Sequence, residues 1–244
     1  VTAFSSVSFR TPPISINLDG GSDLETVFVA LGDTKIYAVK PNGQAAAGWP
    51  VTPGQYTAFT IAAGDIDSNG STEVIVWIPT GGNNGIVTVY NANGTIHAGW
   101  PKTVAPNGTP GQGLSDPILA DLDQNDGGKL EIFFANPYGG FYVFNDDGTS
   151  VAGWPVVLSS SVSTFSPAIG DLDGNGTLEI VAGTFDGKMY AFTRTGTILP
   201  GWPVAAFPAT AEISPLIVYL DSDGRSEVIA AGGSSASPVQ TNKV

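Results

Sequence analysis

The chain alternates short apolar segments with polar loops rich in glycine, and this alternation continues along its whole length. Runs of Val, Ile, Phe, Tyr and Thr last only a few residues before Gly, Pro, Asn or Asp interrupts them. Five times, an acidic loop that contains glycine leads straight into such a run. Short strands separated by turn residues are typical of all-β proteins, so we predict an all-β fold with almost no helix.

The acidic loops form an internal repeat. They begin at positions 17, 65, 121, 171 and 219, so successive intervals are 48, 56, 50 and 48 residues. A period of this size is typical of repeat proteins, in which one unit cannot bury its apolar faces without a neighbour. We therefore predict a single domain over residues 1–244. The loops are called loop 1 (17–25), loop 2 (65–73), loop 3 (121–131), loop 4 (171–179) and loop 5 (219–227).

The fourth repeat shows most clearly what one unit contains. Asp186-Gly187 is a favoured hairpin turn between alternating segments, and the irregular segment with Gly-Trp-Pro suits an edge strand, where proline is tolerated. We predict strands at 166–170, 178–184, 188–193 and 198–204. Four antiparallel strands per repeat, arranged radially, predict the blades of a β-propeller.

The two ends of the chain leave two arrangements open. The fifth repeat lacks Gly-Trp-Pro, while residues 1–13 look like the segment that follows Gly-Trp-Pro in other repeats. This N-terminal segment can complete the last blade and close a five-bladed ring, which removes exposed strand edges. Alternatively, the chain is a piece of a larger propeller. Both arrangements contain about five four-stranded antiparallel blades.

Tryptophan recurs with the repeat. Gly-Trp-Pro places one tryptophan in each of four repeats, at positions 49, 100, 154 and 202. Exposed indoles in a ring would suit sugar stacking, but a tryptophan in every blade is better explained by packing at the seams between blades. Trp77 stands outside this pattern and is interpreted as either a packing residue or a surface contact.

Loop 2 places oxygen donors at alternate positions. Asp65, Asp67, Asn69 and Glu73 occupy positions 1, 3, 5 and 9, and a glycine at position 6 permits a tight bend. Alternate side chains converge on one point, and the carbonyl of Ser71 can add another oxygen. Hard oxygen ligands suit calcium, which takes six to eight of them. Turn preference explains Asp, Asn and Gly, but it does not explain oxygen donors at alternate positions.

The other loops keep this pattern to different degrees. Loop 4 is as complete as loop 2, loop 3 carries two extra residues, and loops 1 and 5 have lost ligands. We expect calcium in loops 2 and 4 and also in loop 3, and only weak sites in loops 1 and 5. The further candidate ligands are Asp171, Asp173, Asn175, Glu179 and the carbonyl of Thr177; Asp121, Asp123, Glu131 and either Asn125 or Asp126; Asp221, Asp223 and Glu227; and Asn17, Asp19 and Glu25.

The pattern D-x-D-x-N-G-x-x-E between two strands, repeated about every fifty residues, resembles the FG-GAP/VCBS repeats of integrin-type β-propellers. The resemblance covers nearly the whole chain. It implies a calcium ion in the loop between the first two strands of a blade, held by the residues that loops 2 and 4 present at positions 1, 3, 5 and 9. The closing acid at position 9, followed by a strand, excludes an EF-hand.

The charge of the chain agrees with this interpretation. The net charge is −13, and 16 of the 22 carboxylates lie in the five loops. Five divalent ions would leave about −3, since clustered carboxylates repel one another without a cation. Nine scattered basic residues make nucleic-acid binding improbable, and no apolar run is long enough for membrane insertion. Cysteine is absent, which fits bacterial secretion.

Candidate catalytic residues are few. The only histidine, His97, has no counterpart in other repeats and is expected at the surface. Asp116 and Glu212 are acid/base candidates near strand entrances, but their spacing supports no glycosidase pair. We therefore predict a non-catalytic module, secreted or at the cell surface, that binds a glycan or an extracellular protein. Tyr56, Tyr138 and Trp77 are the aromatic residues proposed for a glycan-binding face.

Two alternatives remain at this stage. The chain is a polysaccharide-degrading enzyme if acid/base side chains converge in a cleft, as in some calcium-binding propellers that act as lyases. It is a structural spacer if it is one part of a larger secreted protein. In each case we expect a monomer or a part of a longer chain.

Overall fold

The computed structural model describes residues 12–30, 34–54, 60–79, 85–104, 115–124, 126–136, 139–160, 166–205, 214–221, 225–231 and 240–242. All regular secondary structure in these ranges is β-strand, arranged in five antiparallel sheets. No helix in the described ranges is long and apolar enough to cross a membrane. The predicted all-β propeller fold is therefore confirmed.

Each sheet is one blade, and its strands lie side by side in chain order. Blade 1 contains β1 (Ile14–Ile16), β2 (Glu25–Val29) and β3 (Ile36–Val39). Blade 2 contains β4 (Thr60–Gly64), β5 (Glu73–Pro79), β6 (Gly85–Tyr90) and β7 (Lys102–Val104). Blade 3 contains β8 (Ile118–Ala120), β9 (Glu131–Ala135), β10 (Gly140–Phe144) and β11 (Val156–Val157). Blade 4 contains β12 (Ala168–Gly170), β13 (Glu179–Gly183), β14 (Lys188–Phe192) and β15 (Val204–Ala205). Blade 5 contains β16 (Ser214–Val218), β17 (Glu227–Ala231) and β18 (Gln240–Asn242).

This order puts each acidic loop between the first and second strands of its blade. Because neighbouring strands run in opposite directions, the turn after the third strand lies at the same end of the blade as the acidic loop between the first and second strands. Each acidic loop therefore has a turn of its own blade beside it.

The fourth strand begins later than the sequence predicts. In blade 4 it pairs with β14 only at Val204 and Ala205, while Ile198 makes a single bridge to Phe192. Gly-Trp-Pro lies between these two contacts and bends the chain, and all four of its copies have a cis Trp–Pro bond. In blade 1 this strand is reduced to one bridge between Val51 and Ile36.

The last blade contains a strand after the point at which the sequence repeat can no longer be recognised. β18 pairs with β17 as a third strand, with Thr241 opposite Ile229. The predicted closure of the ring concerns residues 1–13, of which residues 1–11 lie outside the described residues.

Four hydrophobic clusters fill the seams between consecutive blades. The second residue of each of the first four acidic loops is buried and reaches the next blade: Leu18 is 3% exposed, Leu122 is 2% exposed, and Ile66 and Leu172 are fully buried. Leu172 of blade 4, for example, shares a cluster with Val228 and Ala230 of blade 5. The core of the protein is therefore a series of seams, as the repeat period predicts.

The tryptophans of Gly-Trp-Pro belong to these seams. They are only 6–8% exposed, and three indole N–H groups donate to a backbone oxygen of the next blade at 2.8 Å. The pairs are Trp49 with Ala92, Trp100 with Asp146, and Trp154 with Arg194. The packing interpretation is confirmed, since a buried indole offers no face for a sugar.

In blades 1 to 3, the glycine before the tryptophan permits close contact with the next blade. Gly153 has a φ of 91°, and a Cβ atom there would lie 2.0 Å from the carbonyl oxygen of Thr195. Side-chain atoms essentially never approach backbone so closely, and a positive φ of this kind favours glycine. The seam therefore requires both the conformation and the small size of glycine.

Candidate metal centres

The closing glutamate has the same role in all five acidic loops. One carboxylate oxygen, Oε2, accepts a hydrogen bond from the backbone N–H of the second loop residue. The bonds join Glu25 to Leu18 at 2.9 Å, Glu73 to Ile66 at 3.1 Å, Glu131 to Leu122 at 2.6 Å, Glu179 to Leu172 at 2.9 Å and Glu227 to Leu220 at 2.7 Å. All five glutamates are at most 2% exposed. Each therefore closes its loop with one oxygen. The other oxygen, Oε1, faces the loop, and in Glu179 it accepts a hydrogen bond from the hydroxyl of Thr177 at 3.1 Å.

Loop 2 is held in a tight curve by hydrogen bonds from its own backbone. The carboxylate of Asp65 accepts from the N–H groups of Asn69 at 3.0 Å and Gly70 at 2.8 Å. The side-chain oxygen of Asn69 accepts from the N–H of Ser71 at 2.7 Å. Gly70 has a φ of 88°, so the bend predicted at position 6 is present.

Loop 4 has the same internal geometry. Asp171 accepts from Asn175 at 3.1 Å and from Gly176 at 2.9 Å, and Asn175 accepts from the N–H of Thr177 at 2.7 Å. Gly176 has a φ of 86°. Two segments more than one hundred residues apart therefore fold into the same loop, because they carry the same residues at the same positions.

The carboxylates of these loops converge. In loop 2, one oxygen from each of Asp65, Asp67 and Glu73 lies within 4.8 Å of the others. In loop 4, Asp171, Asp173 and Glu179 form the same group. Calcium binds oxygen at about 2.3–2.6 Å, so two ligands of one ion lie at most about 5 Å apart. The donor sets of loops 2 and 4 therefore fit a divalent cation.

The electrostatics of the two loops agree with this fit. Burial raises the pKa of Glu73 to about 7, and the nearby charges of Asp67 and Asp65 also raise it. Burial and the nearby charges of Asp173 and Asp171 likewise raise the pKa of Glu179. A cation among these carboxylates would favour their charged forms and relieve the repulsion.

Loop 3 forms a related but different group. Its converging carboxylates are Asp121, Asp123 and Asp126. Glu131 lies beside them, and burial, followed by their charges, raises its pKa to about 7. The structure thus brings Asp126 to the middle position, while the competing candidate Asn125 lies outside the described residues.

Loops 2 and 3 also contact each other. The hydroxyl of Ser68 donates to the carbonyl oxygen of Gly128 at 2.6 Å, and the N–H of Leu130 donates to the carbonyl oxygen of Ile66 at 2.9 Å. Ser68 has a φ of 57°, which turns its side chain toward the neighbouring blade. The acidic loops are therefore part of the seam between blades.

Loops 1 and 5 do not form such groups among the described residues. In loop 1, Asp19 Oδ2 lies 2.6 Å from the ammonium nitrogen of Lys40, which lowers the pKa of Asp19. Asn17 uses its amide within the loop, where it donates to the carbonyl oxygen of Gly21 at 2.7 Å. In loop 5, Asp221 is exposed and Asp223 lies outside the described residues.

The other sequence-predicted residues have different outcomes. His97 is only 9% exposed, and its Nδ1 lies 2.7 Å from Asn91 Oδ1, so the predicted surface position is wrong. Trp77 is 4% exposed and packs over Gly85, where a Cβ atom would meet its indole at 2.2 Å. Asp116 is exposed, 3.4 Å from the hydroxyl of Ser166. Tyr56, Tyr138 and Glu212 lie outside the described residues.

Two features of these loops were missed by sequence reasoning. Lys40 contacts Asp19 across 21 residues, and Lys129 contacts Asp146 at 2.9 Å across 17 residues. Neither pair recurs in the parts of the other repeats that the structure describes, so the period that reveals the loops does not reveal these contacts. Alignment of the third strands would have shown that Lys40 begins the turn beside loop 1.

The comparisons agree with this architecture. Residues 125–182 match the family model of the FG-GAP-like repeat, so the resemblance seen in the loops is confirmed for this part of the chain. A comparison with curated proteins gives no significant match.

Several solved structures share the fold. Sqt1 of Saccharomyces cerevisiae is 20% identical with a TM-score of 0.60, and the match covers 91% of this chain and 56% of Sqt1. The V. cholerae biofilm matrix protein Bap1 is 17% identical with a TM-score of 0.56, over 89% of this chain and 34% of Bap1. The C-terminal domain of Pseudomonas aeruginosa PilY1 is 14% identical with a TM-score of 0.54, over 94% of this chain and 58% of that domain. The chain thus spans about a third to three fifths of these structures.

Proposed function

We propose that this chain is a calcium-stabilised β-propeller module that acts outside the cell as a non-catalytic, adhesion-type binder of a glycan or a protein. The observation that carries the proposal is the recurrence of converging carboxylates at one structural position in blades 2, 3 and 4. A cation at this position would join loop to blade, and in blade 2 it would also stiffen the contact with the next blade.

The ligand chemistry favours calcium over magnesium. Loops 2 and 4 offer carboxylate, amide and carbonyl oxygens on an irregular curve. Calcium accepts six to eight such oxygens in flexible geometry, whereas magnesium requires a near-ideal octahedron and retains several waters. The FG-GAP-like repeat at 125–182 supports the same choice.

The exposure of the loops supports an extracellular location. The middle positions of loops 2 and 4 are open to solvent, and each acidic group has only three carboxylates. Extracellular calcium modules bind their ion at about 10⁻⁴–10⁻³ M, and fewer charged ligands give weaker sites. That Bap1 is a biofilm matrix protein is in keeping with a secreted bacterial module.

The side chains of the described residues support a binding role without catalysis. The one histidine is buried in a turn and bonded to Asn91. The tryptophans of blades 1 to 4 lie in seams, so the described surface is suited to contact through loops and strand edges rather than through an indole platform.

Calcium removal tests the metal part of this proposal. Binding at 100 times the dissociation constant stabilises the native state by about 2.7 kcal/mol per site. At about 2–4 °C per kcal/mol for a chain of this size, each filled site raises Tm by about 5–11 °C. We expect the wild type to melt at least this much higher in calcium than in chelator. The variant Asp147→Asn, which alters a turn outside the loops, should show the same difference as the wild type. We expect a much smaller shift in Asp65→Asn combined with Asp171→Asn.

Binding assays test the remainder. The purified protein is applied to glycan arrays and to a panel of matrix proteins, with calcium and with chelator, beside the double loop variant. We expect calcium-dependent retention on one surface. Release of unsaturated products from acidic polysaccharides would instead show a lyase, and an unchanged Tm after verified calcium removal would contradict the metal sites.

A further inference from the structure

Loop 1 has lost the oxygen donors that a divalent ion needs. Position 1 is Asn17, whose Nδ2 donates to the carbonyl oxygen of Gly21 at 2.7 Å and whose Oδ1 accepts from the N–H of Gly20 at 2.8 Å. Position 5 is Gly21, which has no side-chain oxygen. Asp19 and Glu25 are thus the only acids left at positions 1, 3, 5 and 9, where loops 2 and 4 each keep three acids and an asparagine.

A cationic side chain lies against these acids. The ammonium nitrogen of Lys40 is 2.6 Å from Asp19 Oδ2, and the charges of Glu25 and Asp23 also act on it. An ammonium group carries one positive charge and three donors on a flexible stem, so it can neutralise a carboxylate loop without ideal coordination geometry.

The equivalent residue in the other blades does something else. Lys40, Asn91, Asn145 and Thr193 all begin the turn after the third strand, since each donates its N–H to the carbonyl oxygen four residues later. Asn91 and Asn145 donate their amides to the threonine hydroxyl at the end of the same turn, at 2.9 and 2.8 Å. Thr193 pairs with Thr195, also within the turn. Among the described turns, the side chain at this position reaches an acidic loop only in blade 1.

We propose that Lys40 is the built-in cation of loop 1 and that this loop keeps its shape without a divalent ion, whereas loops 2 and 4 take calcium. The inference depends on the proposed calcium binding of loops 2 and 4. It adds that blade 1 does not bind calcium. It replaces the weak calcium site that the sequence suggested at Asn17, Asp19 and Glu25.

Calcium titration followed by amide NMR tests this assignment loop by loop. Gly70 and Gly176 donate to ligand carboxylates, so their amide signals will move as loops 2 and 4 bind calcium. We expect the signals of Gly20 and Gly21 to stay in place up to 10 mM calcium. Saturable movement of these two signals in the same calcium range as Gly70 and Gly176 would overturn the inference.

A substitution series tests the role of Lys40 without calcium. In chelator, Lys40→Met should lower Tm by up to about 4 °C and by more than Lys188→Met does, because Asp19 then faces Glu25 and Asp23 without a counterion. Lys188→Met is the matched control, since Lys188 pairs with Asp186 at 2.8 Å, the two pairs are similarly exposed, and Asp186 is the one carboxylate whose charge acts on Lys188. Lys40→Arg, which keeps the charge, should retain the wild-type Tm.

The outcomes separate the two proposals. Equal losses in Lys40→Met and Lys188→Met would overturn the inference. If Gly70 and Gly176 fail to respond to calcium, the proposed calcium sites fail, whereas a selective loss in Lys40→Met would still show that Lys40 serves loop 1 as its cation.

Discussion

The glycines of Gly-Trp-Pro provide a direct test of how closely the blades pack. Gly153 and Gly201 have nearly the same backbone, with φ of 91° and 85°. A Cβ atom at Gly153 would lie 2.0 Å from the carbonyl oxygen of Thr195, whereas one at Gly201 meets nothing within 4 Å among the described residues. The two alanine variants therefore share the conformational cost and differ in the clash between blades.

The expected magnitudes follow from this difference. A left-handed conformation costs an alanine about 1–2 kcal/mol, which applies to both variants. Overpacking against neighbouring backbone adds about 1–3 kcal/mol for Gly153→Ala alone. At about 2–4 °C per kcal/mol, Gly153→Ala should melt about 2–12 °C below Gly201→Ala. Thermal unfolding followed by circular dichroism in saturating calcium measures this gap, and equal Tm values would refute close backbone contact at the seam.

Two further predictions concern the seam and the acidic loops. Trp154→Phe removes the indole N–H bond to the carbonyl oxygen of Arg194 and part of a buried ring, so we expect a loss of about 1–3 kcal/mol in urea unfolding, and no loss would show that the bond is dispensable. In chelator, the raised pKa values of Glu73 and Glu131 make the folded state bind protons more tightly than the unfolded state. Their contribution to stability is complete below the ordinary pKa of 4.5 and is lost as pH rises through about 7, so Tm should rise from pH 8 to pH 6. Glu73→Gln should flatten this trend, and saturating calcium should reverse it, because the ligands must then be deprotonated.

The features that sequence reasoning predicted are local or periodic. The ligands of loop 2 lie within nine residues, so their alternation can be read without knowledge of tertiary structure. The tryptophan seams were predictable because each Gly-Trp-Pro recurs with the repeat, and a repeated contact needs only one explanation.

The features that were missed depend on contacts that the repeat pattern does not show. His97 was expected at the surface because it has no counterpart in the other repeats. It is instead buried, and its Nδ1 lies 2.7 Å from Asn91 Oδ1. The fourth strand begins at Val204 rather than at 198, since Gly-Trp-Pro bends the chain away from β14 before the strand pairs. Lys40 likewise has no periodic partner, and the register of β2 with β3 shows that its turn lies beside loop 1.

The hydrogen bond between each closing glutamate and the second loop residue holds the shape of the loop whether or not the loop has a complete set of ligands for an ion. Glu25 and Glu227 make this bond in loops that lack a complete ligand set, at distances like those in loops 2 and 4. A blade of this kind can therefore gain or lose a cation through one or two substitutions while its backbone stays as it is. If loops 2 and 4 bind calcium as proposed, successive blades of one chain can therefore differ in their response to ambient calcium. A single propeller can then combine blades that lose stability when the ion is scarce with blades that do not.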